Sequence, residues 1–359
     1  MEAASVPPAE APRAKASAVV LEFLSKYGLI ALLLALPVYY GIQDLSDDGN
    51  LTRLGNNLVD GLSNGAIWAL VALGYTLVYG IIELINFAHG DVFMVGAFAS
   101  MFVLTNILGQ STNDSATSLP QAVFLIVAVF AIVMPVMGLL GVAIERFAYR
   151  PLRNAPKLAP LITAVGFSFI LQNVGLLWRG GSPQSVPDLI NVQQTVFTIA
   201  GVPIQRGYIL AFAVMIPLVF ALGWFINSTH AGRAMRATAQ DPEAARLMGI
   251  NVNATISLTF LLGGMLAGAA GLVYALYQTN VWFFQGFKAG LIAFTAAVMG
   301  GIGNVRGAVL GGLIIGVIQA LADSRLGPQW TEAVVFGYLI AIMVLRPRGL
   351  LGEETREAG

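Results

Sequence analysis

The sequence predicts an all-α fold: a polytopic transmembrane helical bundle of 8–10 membrane segments. Of its 359 residues, 57% are hydrophobic and 11% are charged, whereas a soluble domain has roughly 25% charged residues. Several apolar runs reach about 20 residues, the length at which a helix crosses a bilayer. A third observation is a Gly-rich interruption within the apolar stretch 291–321. It predicts a broken or re-entrant segment, which is tolerated where the chain is buried in protein or lines a cavity.

The composition also excludes several classes of function. Basic and acidic residues number 19 each, so a nucleic-acid partner is not indicated. The chain has no cysteine, which excludes disulfides, thiol catalysis and zinc–thiolate sites. Its two histidines, His89 and His230, are too few and too far apart in the sequence to indicate a metal site. We therefore expect neither a metal nor a cofactor.

Three regions are predicted along the chain. Residues 1–26 are expected to form a disordered cytoplasmic tail, because Met1–Ser17 is rich in Ala, Pro and charge without a period. Residues 27–345 form the transmembrane domain, with a cytoplasmic loop at 227–252, and residues 346–359 form a cytoplasmic C-terminal tail. The first apolar run has no small-residue cleavage site after it, so it is predicted to be a span rather than a signal peptide.

Eight apolar runs predict single spans. They lie at Tyr27–Ile42, Leu58–Gly80, Asp91–Leu108, Ala122–Ile144, Leu158–Trp178, Gly207–Ile226, Ile256–Tyr277 and Thr331–Leu345. Pairs of small residues, such as Gly65 with Ala69 and Gly96 with Ser100, predict close helix–helix contact in lipid. The stretch 291–321 adds no crossing if it enters and returns, and two crossings if it passes through twice.

The basic loops predict the orientation of the chain. Positive charge is concentrated at 145–157, at 227–252 and directly after Leu345, and such loops favour the cytoplasmic side. With a cytoplasmic N-terminus, all three fall on the cytoplasmic side after an even number of crossings. Eight and ten crossings both leave the C-terminus inside, so the charge pattern does not separate them.

The loop 227–252 contains the most informative local pattern. Asp241 is placed to cap a helix that begins with Pro242 and Glu243, and Gly249 is placed just beyond its end. Such a helix of about two turns is too short to be stable alone in water. Ala244, Ala245 and Met248 share one face at helical spacing, and the small residues there would let another surface approach. The loop is therefore predicted to be a docking element. The alternative is a surface helix that merely closes the loop.

No motif of an enzyme is present. The chain lacks G-x-x-x-x-G-K-[ST], G-x-S-x-G and H-E-x-x-H. If ATP drives this protein, another subunit must bind the ATP. We therefore expect a non-enzymatic subunit.

Polar residues near and within spans are candidates for a route through the membrane. Asn86 and His89, in the stretch that also holds Phe87, Gly90 and Asp91, either line that route or form a satisfied loop where a helix begins. Acidic residues are expected only in loops or at span edges. Two halves of the chain also share a weak pattern, at Phe87–Ala97 and Phe284–Ala293, which is explained equally well by chance and by duplication.

Three further polar residues complete the candidate route. Gln172 and Asn173 lie in the middle of a span and are predicted to face the bundle interior. They either make a structural hydrogen bond or contact the transported molecule. Asn304 lies within Gly300–Gly312, where the glycines either permit tight packing or form a constriction that opens and closes.

The loop and two other segments resemble a known family. The pattern E-A-A-x-x-x-G at Glu243–Gly249 is similar to the signature of permease subunits of bacterial ABC importers. Asn64–Phe98, Thr229–Val252 and Ala293–Gly312 resemble the branched-chain amino acid permease family. The resemblance spans roughly Leu58–Gly352, which is nearly all of the chain except the N-terminal tail.

The resemblance implies a function and a set of partners. It implies a multi-pass permease subunit in the inner membrane of a prokaryote, which moves branched-chain amino acids by alternating access. The expected partners are two ATP-binding-cassette ATPase subunits, a second homologous permease subunit, an extracytoplasmic substrate-binding protein and membrane lipid. It also implies a role for six loop residues in coupling to the ATPase: Asp241, Pro242, Glu243, Ala244, Ala245 and Gly249.

Three alternatives stay open at the level of sequence. Urea and short-chain amide permeases share these motifs, and the long N-terminal tail and the 180–206 loop depart from the family pattern. A stand-alone ion-coupled transporter would usually need an acidic residue inside a span. A membrane scaffold without transport would enclose no polar route.

Overall fold

The computed structural model describes residues 28–111, 118–153, 155–156 and 158–352. The predicted tail 1–26 and residues 353–359 lie outside this part of the chain. Regular structure in it is almost entirely helical. The α-helices are α1 Leu29–Asp47, α2 Thr52–Ile82, α3 His89–Phe102, α4 Leu119–Ile144, α5 Leu158–Arg179, α6 Arg206–Ser228, α7 His230–Gln240, α8 Pro242–Leu247, α9 Val252–Gln278, α10 Gln285–Gly300, α11 Val305–Arg325 and α12 Pro328–Leu345.

Two helices continue with a different pitch. A π-helical segment, Val103–Ile107, extends α3, and another, Glu145–Tyr149, extends α4 into a short 3₁₀ turn at Arg150–Leu152. Within the described residues, nine helices are long and apolar enough to cross a membrane. They are α1 to α6, α9, α11 and α12, and each of the eight predicted spans corresponds to one of them. The chain is therefore a multi-pass membrane protein.

The predicted polar loop 180–206 contains three of the four short strands of the described chain. Strands β2 (Thr195–Ile199) and β3 (Val202–Gln205) form an antiparallel hairpin, and β1 (Gln184–Ser185) pairs with β4 (Asn280–Val281). We call this end of the bundle the hairpin end and the opposite one the α8 end. Helix α2 begins in close contact with β3: if Gly55 carried a Cβ atom, that atom would lie only 2.4 Å from the Val202 side chain. It ends beside α7, next to a cavity lined by Ile81 and Arg236.

The Gly-rich stretch 291–321 is a broken helix. Helix α10 ends at Gly300, and the chain then turns through Gly301 (φ 104°) and Gly303 (φ 91°). Asn304 caps the next helix, α11, because its side-chain oxygen accepts a hydrogen bond from the Gly307 amide at 3.0 Å. Helices α10 and α11 run in opposite directions: α10 leads from its contact with Asp91 inside the bundle to the α8 end, and α11 leads back to the hairpin end. Helix α10, with 16 residues or about 24 Å, is short for a bilayer. It is therefore not among the nine helices of the described chain that are long and apolar enough to cross a membrane.

Two pairs of helices repeat the same design in opposite directions. Helices α2 and α9 each end in a residue with positive φ, Glu83 (52°) and Thr279 (52°). Short loops, 83–88 and 279–284, then lead into the short helices α3 and α10. Helix α2 runs toward the α8 end whereas α9 runs away from it. The segments around Phe87 and Phe284 thus share a local arrangement: a long helix that ends at a positive φ, a six-residue loop and a short helix.

Glycine permits the closest contacts in the core. A Cβ added to Gly316 of α11 would lie 2.2 Å from the Gly61 carbonyl oxygen of α2, and one on Gly65 would lie 2.8 Å from that of Gly312. Ala69 lies against Gly312 in the same contact. The predicted pairing of small residues thus marks a helix–helix interface. Helices α4 and α9 meet in the same way, with Gly141 against Phe260.

Candidate coupling and translocation sites

Helix α8 forms with the predicted cap and the predicted end. Asp241 Oδ1 accepts hydrogen bonds from the backbone N–H groups of Glu243 and Ala244 at 2.8 and 2.9 Å. Gly249 has φ 83°, a conformation that favours glycine because it has no Cβ. Its amide donates to the Arg246 carbonyl at 3.0 Å. The local sequence therefore determines both ends of α8.

Helix α7 holds α8 against the end of the bundle. Thr229 caps α7 by accepting from Gly232 N at 3.0 Å. Gly232 is packed so closely on α6 that a Cβ would lie 2.2 Å from the Ile226 carbonyl oxygen. Arg236 also donates to that carbonyl. Because only Asp241 separates α7 from α8, α7 places α8 at this end of the bundle.

The exposed face of α8 differs from the predicted one. Ala245 is only 4% exposed and packs against its own chain, so it is not available to a partner. The exposed apolar side chains are Leu247 (88%) and Met248 (82%), beside the exposed Ala244. Leu247 was missed, although its position three residues after Ala244 is a helical spacing. The exposed surface of α8 thus carries a bulky apolar tip rather than two small residues.

A buried polar cluster joins three helices deep in the bundle. Ser168 Oγ of α5 donates to Asp91 Oδ2 at 2.5 Å, and Gln172 Nε2 donates to Ser168 Oγ at 3.0 Å. Asp91 Oδ1 lies beside Gly286 of α10. A Cβ atom added to Gly286 would be 2.8 Å from this oxygen. Asp91 is in the first turn of α3 and touches the first turn of α10. A carboxylate is favoured at such positions by the partial positive charge of a helix N-terminus.

The position of Asp91 corrects one expectation. Acidic residues were expected only in loops or at span edges, but Asp91 is completely buried inside the bundle. The reason is that the loop 83–88 returns into the bundle before α3 begins. The His89 ring consequently lies against Gly74 in the middle of α2, where a Cβ would be 2.2 Å from His89 Nε2. The Tyr75 ring is 4.8 Å from the His89 ring.

Several polar atoms of this cluster have no hydrogen-bond partner within the described residues. They are His89 Nε2, Asp91 Oδ1 and Gln285 Nε2. Each unsatisfied buried atom costs about 1–3 kcal/mol.

A small cavity adjoins the cluster at Ser168. It has a volume of about 40 Å³, and aromatic side chains form most of its wall, including Tyr75, Phe87, Phe287 and Phe294. This space is large enough for water but far smaller than the roughly 300–1,000 Å³ of a pocket for a small-molecule ligand.

The remaining candidate residues fall in different places. Asn86 is buried, and its Oδ1 lies 3.3 Å from the Tyr149 hydroxyl. Gln172 faces the interior as predicted. Asn173 does not: it is exposed on the outer face of α5, and its Nδ2 donates to the Phe169 carbonyl at 2.8 Å. Adjacent residues on an α-helix diverge by about 100°, so both could not face inward.

Asn304 lies at the α8 end, outside the buried cluster. Besides capping α11, it donates from Nδ2 to the Leu351 carbonyl at 2.8 Å. Leu351 N in turn donates to the Gly300 carbonyl at 2.9 Å. These contacts tie the chain after α12 to the turn between α10 and α11. They account for Asn304 as a structural cap.

Comparison with known proteins places the chain in a family. The model of the family described as "Branched-chain amino acid transport system / permease component" matches residues 57–344. This chain belongs to that family. It is 41% identical over 302 residues to the high-affinity branched-chain amino acid transport system permease protein BraD of Pseudomonas aeruginosa, covering 84% of this chain and 96% of BraD. No solved structure matches it.

Two further relatives carry the same description. The high-affinity branched-chain amino acid transport system permease proteins LivH of Salmonella typhimurium and of Escherichia coli K12 are 38% and 37% identical to this permease over 306 residues. Each match covers 84% of this permease and 96% of the relative. The matched region contains α8, the buried cluster and the broken stretch α10–α11.

Proposed function

We propose that this permease is the membrane-spanning subunit of an ATP-driven importer of branched-chain amino acids. The observation that carries the proposal is α8, a capped helix held by α7 against the bundle, with Leu247 and Met248 in solvent. Exposed bulky apolar side chains on a short, fixed helix are suited to docking a partner. The partners would be two ATPase subunits at α8, a second homologous permease and an extracytoplasmic substrate-binding protein.

The distribution of charge favours a cytoplasmic α8 end. Among the described residues, this end carries nine arginines: Arg146, Arg150, Arg153, Arg233, Arg236, Arg246, Arg306, Arg346 and Arg348. The hairpin end carries Arg53, Arg179, Arg206, Lys288 and Arg325. An excess of Arg and Lys in short loops marks the cytoplasmic side. Both termini and α8 would then face the cytoplasm, where ATP is available.

Transport would proceed by alternating access in a plasma membrane of prokaryotic type. ATP binding would bring the ATPases together and displace α8, and the helices would re-pack so that the route opens to the other side. The half-helices α3 and α10, which meet at Gly90 and Gly286, are the elements best placed to move. The aromatic wall around Tyr75 and Phe294 is suited to apolar side chains such as those of Leu, Ile and Val. Urea or a short-chain amide is the alternative cargo.

A second candidate function, a stand-alone ion-coupled transporter, is favoured by one observation. Asp91 is an acidic residue buried within a span, as such a mechanism would require. However, Asp91 is already engaged by Ser168 and by the first turns of two helices. The hydrogen bond from Ser168 and the two helix N-termini give this carboxyl group a structural role that needs no transported cation.

The substitution Glu243→Lys tests the importer. It leaves the Asp241 cap in place but reverses the charge on the exposed face of α8. We expect loss of co-purification with the ATPase and loss of ATP-dependent uptake of leucine. Asp47→Lys, a charge reversal on an exposed residue at the hairpin end, should leave co-purification unchanged. Normal uptake with Glu243→Lys, or uptake by this chain alone in liposomes without ATP, would refute the importer.

A further inference from the structure

A continuous set of backbone and side-chain contacts runs from α8 to the loop 83–88. Helix α8 is separated from α9 by only four residues, 248–251, and the Ile250 amide donates to the Ala245 carbonyl at 3.0 Å. Asn251 caps α9 by accepting from Ala254 N at 3.1 Å. Displacement of α8 must therefore be passed on to the first turns of α9.

The first turns of α9 are bound to the segment that follows α4. Ser257 Oγ donates to Glu145 Oε2 at 2.8 Å, and Arg153 donates both to Asn253 Oδ1 at 2.5 Å and to Glu145 Oε1. Glu145 is completely buried, so both of its carboxylate oxygens are used by these partners. Removing one partner would leave a buried charge without compensation, which is strongly unfavourable.

The same segment is bound to the loop 83–88 through Tyr149. The buried Tyr149 hydroxyl donates to the Ile85 carbonyl at 3.0 Å and lies 3.3 Å from Asn86 Oδ1. Its ring packs on Phe260 of α9, with 5.2 Å between centroids. Glu145 and Tyr149 are the two ends of the π-helical segment, a conformation that is frequent at functional sites.

We propose that Glu145, Arg153 and Tyr149 are positioning residues that transmit the displacement of α8 to the loop 83–88. The loop leads directly into His89 and Asp91, so its movement shifts the buried cluster where α3 meets α10. This relay rests on the proposed function, because it needs an ATPase that displaces α8. Coupling of this kind is carried by contiguous packed side chains and hydrogen bonds that have two arrangements.

The variant Tyr149→Phe tests the relay most cleanly. It removes the hydroxyl but retains the ring that packs on Phe260. The matched control is Tyr208→Phe, which removes the hydrogen bond from the buried Tyr208 to Asp60 at the hairpin end. Both variants would be studied in the complete complex, reconstituted in proteoliposomes, by measuring leucine transported and ATP hydrolysed.

With Tyr149→Phe we expect an intact complex that still hydrolyses ATP, but with leucine transported per ATP reduced about fivefold, the effect of one neutral hydrogen bond. Tyr208→Phe should keep the wild-type ratio. A purely structural role for Tyr149 would lower complex yield and both activities together, without changing the ratio. An unchanged ratio in Tyr149→Phe would therefore overturn the relay.

Arg153 provides an independent variant. Arg153→Ala should also lower the ratio of leucine transported to ATP hydrolysed. Arg153→Lys should restore only part of that ratio, because its single ammonium group cannot bond Glu145 and Asn253 together as the planar guanidinium does. Equal ratios in wild type and Arg153→Ala would count against the relay. Failure of the importer itself looks different: the wild-type chain would then not co-purify with the ATPase.

Discussion

Ser168 of α5 donates a hydrogen bond of 2.5 Å to Asp91 of α3, and this bond holds a carboxylate where the first turns of α3 and α10 meet. Two helix N-termini and one hydroxyl thus surround a single buried carboxyl group. A carboxylate at a helix N-terminus contributes about 0.3–2 kcal/mol. Asp91 is therefore expected to stabilise the contact between the two half-helices.

The substitution Asp91→Asn tests this role. It replaces one carboxyl oxygen with an amide nitrogen, which places a donor beside the hydroxyl of Ser168 and the amide of Gln172, both of which donate here. We expect a loss of about 1–3 kcal/mol, measured as a lower midpoint of thermal unfolding of the purified protein. Asp47→Asn, at an exposed position, is the control and should leave the midpoint unchanged. Equal midpoints for Asp91→Asn and wild type would contradict the role.

The ion pair between Asp44 and Arg325 predicts a strong double-mutant effect. Arg325 NH2 lies 2.7 and 2.8 Å from the two Asp44 oxygens, and both side chains are less than 5% exposed. Breaking a buried pair from one side costs about 3–5 kcal/mol. Arg325→Met alone should therefore lower the thermal midpoint markedly.

The combination of Arg325→Met with Asp44→Leu should recover most of that loss, because a buried pair can be replaced by apolar side chains at little cost. The Tyr40 ring, which lies 5.1 Å from the Arg325 guanidinium, remains to pack against the new methionine. The measurement is a thermal double-mutant cycle. If the double variant were as unstable as the sum of the single ones, the two residues would not be coupled.

The sequence predicted the features that depend on local pattern. The length of the apolar runs was enough to predict where the spans lie. Asp241 and Gly249 were enough to predict the ends of α8, because capping and a positive φ depend on a few adjacent residues. The density of glycine in 300–312 predicted a break, which lies at Gly300–Asn304. In each of these cases the information lies within one or two turns of chain.

Features that depend on tertiary packing could not be predicted. The pattern Asn86 to Asp91 is polar, but only the return of the loop 83–88 into the bundle makes Asp91 an interior residue. Gln172 and Asn173 are adjacent and equally polar, so composition could not show which one faces inward. Ala245 and Leu247 both belong to α8, and the packing of α7 on α6 decides which of them reaches solvent.

The contact between α2 and α11 predicts opposite outcomes for two glycine substitutions. A Cβ at Gly316 would lie 2.2 Å from the Gly61 carbonyl oxygen, whereas a Cβ at Gly166 of α5 would meet no atom within 4 Å. Gly316→Ala must separate the helices, at a cost of about 1–3 kcal/mol. Gly166→Ala should be neutral or slightly stabilising, because alanine favours the helix. Thermal midpoints of the two variants would show the difference, and equal midpoints would exclude a close α2–α11 contact.

The apolar tip of α8 predicts which of its side chains the partner requires. Leu247 is 88% exposed, and burying such a side chain fully contributes about 1.5–3 kcal/mol. Leu247→Ala should therefore raise the Kd for the ATPase by about tenfold or more, with no change in the thermal midpoint of the permease. Leu247→Met retains a long apolar side chain and serves as the control. Ala245→Leu should behave in the opposite way, because Ala245 is packed inside the chain: it should lower the midpoint before it affects docking. If Leu247→Ala bound the ATPase as tightly as wild type, the partner would have to dock elsewhere on the α8 end.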